Sequence, residues 1–267
     1  MISQSRPDAF FRLRRLNVAA GILHFLEGAF MLVIALTIDT VKSFQPEIYT
    51  NFYQWVAATI HVPAHLENVT ELFFNLPFVI VIAGFLLLTA FFHFLVSTRR
   101  VNPVYNNDLQ KGINKFRWIE YSITSSVMID LIAVLFGVTD FGTLVLLFGI
   151  NMVMNLLGLI MEKMNQYTEK TNWSAFIVGS IAGIFSWALI FMFAFGNTSL
   201  AEIPWFVFAI AGSYFLFFNL FPLNMFLQYK KVGKWKDYIY GEKMYIILSF
   251  VSKSALAWLV FAGIMQP

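Results

Sequence analysis

Apolar residues run through this chain in long, nearly continuous blocks, parted by short polar stretches. Seven blocks approach the roughly 20 residues that a helix needs to cross a bilayer. Their approximate bounds are Leu16–Ile38, Phe73–Val96, Phe116–Phe136, Phe141–Met161, Trp173–Phe195, Pro204–Gln228 and Met244–Met265. Lipid offers the backbone no water, so runs of this length close their hydrogen bonds internally, as helices. The fold expected is an all-α membrane protein, a seven-transmembrane-helix bundle in one domain over residues 1–267. The first block has a basic flank but is too long for a signal-peptide core, so it should remain as a helix.

Only one connection is long. In residues 39–72, the segments Glu47–Trp55 and Val56–Val62 set Ile, Tyr, Phe, Trp and Val among polar residues, which predicts a short β-hairpin. An amphipathic hairpin there can cap the bundle or pair with a second copy of the chain.

Composition agrees with the pattern. The chain is 59% hydrophobic and 12% charged, with mean hydropathy +0.70, which excludes a soluble globular domain. Without cysteine, it has no disulfide, thiolate metal site or catalytic thiol.

Charge then orients the bundle. Of the 18 basic residues, all but Lys42 and Lys253 fall before the first block or in alternate loops, on one side of the membrane. They include Arg12, Arg14 and Arg15 at the start, Arg99 to Arg117 after the second block, and Lys230 to Lys243 before the last. The positive-inside rule makes that side, with the N-terminus, cytoplasmic and leaves the C-terminus outside. The net charge of +3 follows from this asymmetry and implies no nucleic-acid partner.

Six ionisable residues interrupt the blocks: His24, Glu27, His93, Glu120, Asp130 and Lys253. Such residues usually face the bundle interior and pair, because a bare charge in lipid is costly. Lys253 is the sole formal charge of the last block, about 15 Å of helix beyond Lys243, too deep to snorkel with ease. A buried amine can hold an aldehyde as a Schiff base. Glu120, at a comparable depth on the third block, is its natural counter-ion; a plain Lys–Glu pair joining two helices fits the spacing equally. Ser249, one turn before Lys253, and Ser125 and Ser126, after Glu120, can hydrogen-bond this pair or simply pack. His24, His93 and Glu27 can meet in one polar cavity, where a histidine stores a proton or merely joins two helices. Asp130 is expected at a solvated outer helix end. The 31 Phe, 10 Tyr and 7 Trp suit a lipid-facing surface or a slot for a flat polyene.

FRWIEYSITSSVM at Phe116–Met128, VSKSALAW at Val251–Trp258, LQYKKVGKW at Leu227–Trp235 and FHF at Phe92–Phe94 resemble the heliorhodopsin family of retinal proteins. The likeness runs from ILHFLEG at Ile22–Gly28 to the last block, and that family also places its N-terminus in the cytoplasm. The resemblance implies all-trans retinal on Lys253 as a protonated Schiff base, with Glu120 as counter-ion and Ser125 and Ser249 nearby. It implies a chromophore lining of Met128, Asn151, Met154, Gly158, Phe218 and Met225, and a proton cavity at His24 and His93. Two positions depart from it: Met225 stands where relatives have glutamine, and Glu27 where a neutral amide would be less demanding.

The function expected is light sensing in the cell membrane, with a cytoplasmic signalling partner and no enzymatic activity. A homodimer is expected at family level, through the 39–72 loop or the fourth and fifth helices. A light-driven or light-gated ion transporter is the first alternative, disfavoured because Ser249 stands where many pumps carry a second carboxylate. An intramembrane zinc hydrolase is the second, and two histidines in the spans fall short of the usual three protein ligands.

Overall fold

The structure, a computed structural model, describes residues 7–196 and 205–264. Seven of its helices are long and apolar enough to cross a membrane. They are α1 (Pro7–Thr37), α3 (Phe78–Ser97), α5 (Lys115–Leu135), α6 (Phe141–Met164), α7 (Ser174–Phe195), α8 (Trp205–Tyr229) and α9 (Tyr238–Ile264). Two short helices accompany them, α2 (Asp39–Ser43) and α4 (Asn102–Gln110). Arg6, Pro204 and Met265, which the sequence reading assigned to the basic flank and two of the blocks, lie outside the described residues.

Two expected bounds move. The first helix starts at Pro7, ahead of Leu16, so Arg12, Arg14 and Arg15 ride on helix instead of a tail. The last starts at Tyr238, ahead of Met244. Hydropathy dates a helix from its first apolar residue, whereas the backbone keeps its hydrogen bonds into the polar flank.

α1 packs on α3 and α9, α3 on α5, α5 on α6, α6 on α7, and α8 on α9. Small residues let α1 and α3 approach closely. A methyl group added to Gly28 would lie 2.9 Å from Leu87 Cγ and 3.2 Å from the Ala83 carbonyl oxygen.

The expected hairpin is present, with a different second strand. β1 (Glu47–Val56) pairs antiparallel with β2 (His65–Asn75), so most of the predicted segment Val56–Val62 forms the connection. Phe73 belongs to β2 and not to the second membrane helix, which begins at Phe78. Apolar side chains at alternate positions look alike in a strand end and a helix start.

Asp140 fastens the hairpin to the bundle. Its carboxylate caps α6, accepting from the Thr143 N–H and hydroxyl, each at 2.7 Å, and from Asn51 Nδ2 of β1 at 2.8 Å. These donors hold the Asp140 carboxyl below its ordinary range. The Tyr49 N–H adds a 2.9 Å bond to the Thr139 carbonyl.

Candidate functional site

α9 presents Lys253 to the interior, where 2% of the residue is exposed. Its Nζ donates to Glu120 Oε1 of α5 and, at 2.9 Å, to Thr89 Oγ1 of α3. The Thr89 hydroxyl in turn donates to Glu120 Oε1 at 2.9 Å, and Thr124, one turn on from Glu120, donates to the same oxygen at 3.0 Å. The ammonium also lies 5.1 Å from the centre of the Tyr121 ring. Three helices thus supply one buried ion pair, with a hydroxyl accepting from the cation and two hydroxyls donating to the carboxylate, which offsets the cost of burying both charges.

Lys253 lines an apolar slot of about 570 Å³, within the usual size of small-molecule sites. Trp118, Tyr121 and Met128 of α5, Met154 and Gly158 of α6, Trp187 and Phe191 of α7, and Phe218 and Phe221 of α8 form its walls. The Trp187 ring meets Phe218 edge-on, with centres 5.6 Å apart, opposite the α5 wall. On the side of α7 and α8, the lining residues Ser180, Ile184 and Phe215 are themselves exposed, so the slot reaches the bundle's outer surface there.

Seven of the residues singled out from the sequence line this slot: Ser125, Met128, Met154, Gly158, Phe218, Met225 and Lys253. Asn151 sits behind the wall, donating to Ser125 Oγ at 2.8 Å and Ser126 Oγ at 3.1 Å. Ser249 is buried one turn from Lys253, near Tyr121. Glu120 reaches the slot only through the lysine. His24 and His93 stack with centres 5.9 Å apart, and Glu27 Oε2 lies 3.4 Å from His24 Nδ1.

Three readings need correction or addition. Asp130 is not at a solvated helix end: α5 continues to Leu135, and Asp130 Oδ1 is buried without a hydrogen-bond partner among the described residues. Arg117, counted as a loop cation, is buried and pairs with both Glu162 of α6 and Glu242 of α9. Neither glutamate stood out in the sequence, since each borders an apolar run where a solvated charge is ordinary. Thr89 and the ring wall of Trp118, Tyr121 and Trp187 were also missed. A threonine or an aromatic residue in a membrane helix carries no signal of its own.

Gly158 is a point where shape is decided. A methyl group there would meet the Trp118 ring at 2.3 Å. That ring cannot swing away freely, because its Nε1 donates to the buried Glu162 Oε2 at 2.7 Å. Gly158→Ala is expected to cost about 1–3 kcal/mol of stability by overpacking and to narrow the slot. Thermal unfolding and ligand uptake of the purified variant check this.

A seven-helix membrane bundle, in which a buried lysine paired with one carboxylate lines an aromatic slot, defines the rhodopsin class of retinal proteins. The slot fits that group: its walls are apolar and ring-rich, and they include an amine. Over residues 13–265 the sequence matches the family model for heliorhodopsin, and the chain belongs to the heliorhodopsin family. Members of this family are retinal-binding, light-sensing rhodopsins. No curated protein matches the chain.

Proposed function

We propose that this chain is a light receptor that carries all-trans retinal on Lys253 as a protonated Schiff base, with Glu120 as counter-ion, and that it signals without pumping ions. The observation that carries this reading is the buried Lys253–Glu120 pair, whose lysine lines the aromatic slot. When bound, retinal supplies light absorption and isomerisation about a double bond. The chain's residues do the rest. Glu120 and Thr89 hold the positive charge at Nζ, Thr124 donates to Glu120, and the slot keeps water from them. Motion that separates Nζ from Glu120 in this low-dielectric setting lowers the proton affinity at Nζ, so the proton leaves.

Displacement at Lys253 has a direct route to the basic end of the bundle. The Tyr121 hydroxyl, on the ring beside Nζ, donates to the Tyr245 carbonyl at 3.1 Å, and the Tyr245 ring lies 3.9 Å from the Arg117 guanidinium. In the orientation implied by the charge distribution this end is cytoplasmic, where a soluble partner can read the change. A homodimer fits the hairpin, whose Tyr53 (71%) and Trp55 (65%) are exposed. The protein acts as a receptor and not as an enzyme.

The test is reconstitution with all-trans retinal, followed by an absorption spectrum and illumination of vesicles. A visible band that shifts to the red in Glu120→Gln is the expected result, with no light-driven pH change across the membrane. A sustained pH gradient would establish a transporter instead, and no band in a folded protein would defeat the retinal reading.

A further inference from the structure

Glu27 of α1 is half-buried within a membrane span, beside the lysine-bearing part of α9, where a carboxylate is costly unless it is paired or has a task. Its Oε2 accepts from Ser254 Oγ at 2.8 Å and its Oε1 from Trp258 Nε1 at 3.1 Å. Ser254 follows Lys253 directly, so this carboxylate grips α9 at the reactive position. His24 Nδ1 lies 3.4 Å from the same Oε2, within ion-pairing distance when the imidazole carries a proton on both nitrogens.

A line of proton-accepting atoms leads back from Glu27 toward Lys253. Asn17 Nδ2 donates to the Leu13 carbonyl at 3.1 Å, which turns its Oδ1 to His93 Nδ1, 2.8 Å away. His93 therefore carries hydrogen on Nδ1 and a lone pair on Nε2. That Nε2, and the Nε2 of the wholly buried His24 stacked on it, have no hydrogen-bond partner among the described residues. Buried polar atoms are seldom left so, and these are open to a proton. His93 and Glu120 also line one cavity of about 40 Å³, enough for water between them. Arg117, Glu242, Tyr105, Tyr121 and Tyr245 are the other charged and titratable groups facing it.

We propose that Glu27 is the final acceptor of the proton that leaves Lys253 Nζ, reached through His93 and His24, and that its protonation loosens α1 from α9. This rests on the retinal reading above. The N–H bond at Nζ breaks and an O–H bond forms at Glu27 Oε2. His93 takes the proton on Nε2 and passes it on; His24 receives it on Nε2 and releases one from Nδ1. One positive and one negative charge disappear together, and no co-reactant is needed. A neutral carboxyl is a weaker acceptor than a carboxylate, so the bonds from Ser254 and Trp258 weaken.

The experiment is a time-resolved, light-minus-dark infrared difference spectrum of the full-length, retinal-loaded protein, comparing wild type with Glu27→Gln, Glu27→Asp and Glu242→Gln. The expected result is a protonated-carboxyl stretch that rises as Nζ loses its proton. It should persist in Glu242→Gln, shift in Glu27→Asp and vanish in Glu27→Gln, with the proton returning to Nζ at least about tenfold faster in the last. A stretch unchanged in Glu27→Gln, one lost only in Glu242→Gln, or none in wild type while Nζ deprotonates overturns the proposal. A wild type without any visible band would instead strike the retinal reading on which it rests.

Discussion

Lys253→Met is expected to form no visible chromophore with all-trans retinal at any pH, while retaining a folded bundle. Lys253 supplies the only amine among the described residues that line the slot, and the hydroxyls there, such as Ser125 and Ser252, cannot form an imine. The spectral loss should therefore be complete. Stability gives a second reading. Methionine leaves Glu120 buried with only Thr89 and Thr124 as donors, and breaking a buried pair in this way costs about 3–5 kcal/mol. Adding Glu120→Gln should recover most of that loss without restoring colour. Absorption spectra and thermal unfolding of the single and double variants separate the two effects, and a visible band in Lys253→Met would defeat the assignment.

Arg117→Gln is expected to be the most damaging substitution at the other end of the bundle. The guanidinium joins α5 to α6 through Glu162 and to α9 through Glu242, and it lies on the Tyr245 ring. Asn114 supports both carboxylates, its N–H donating to Glu162 Oε2 at 2.9 Å and its Nδ2 to Glu242 Oε2 at 2.7 Å. Tyr238 donates to Glu162 Oε1 at 3.1 Å. Removing the cation leaves two buried carboxylates facing one another, at a cost of about 3–5 kcal/mol. Arg117→Lys should rescue little, because one ammonium cannot reproduce the planar fork that reaches both partners. Glu162→Gln and Glu242→Gln, added to Arg117→Gln, should restore stability, since the repulsion is then gone. Unfolding midpoints across this series check it; equal stability of Arg117→Gln and wild type would show that the triad holds nothing together.

The same triad marks where sequence reading stops. Hydropathy alone found all seven membrane helices, because a backbone in lipid has one economical solution and apolar length reports it. The residue pattern also predicted the hairpin, though it placed the second strand at Val56–Val62, where the structure has it at His65–Asn75. Lys253 was conspicuous, since a lone charge in an apolar run needs a reason, and Glu120 followed from matching depth on a neighbouring helix. Arg117, Glu162 and Glu242 were not legible, because each stands beside a polar loop where a solvated charge costs nothing, and only the lateral packing of α5, α6 and α9 removes the water. The slot likewise needed the tertiary structure: an aromatic residue faces lipid or a ligand according to helix rotation, which Trp118, Trp187 and Phe218 do not encode locally. The sequence by itself determined the membrane helices and the reactive amine, both set by the local price of polarity in lipid. Tertiary structure alone decided which side chains meet across helices, because those distances arise from packing between segments far apart along the chain.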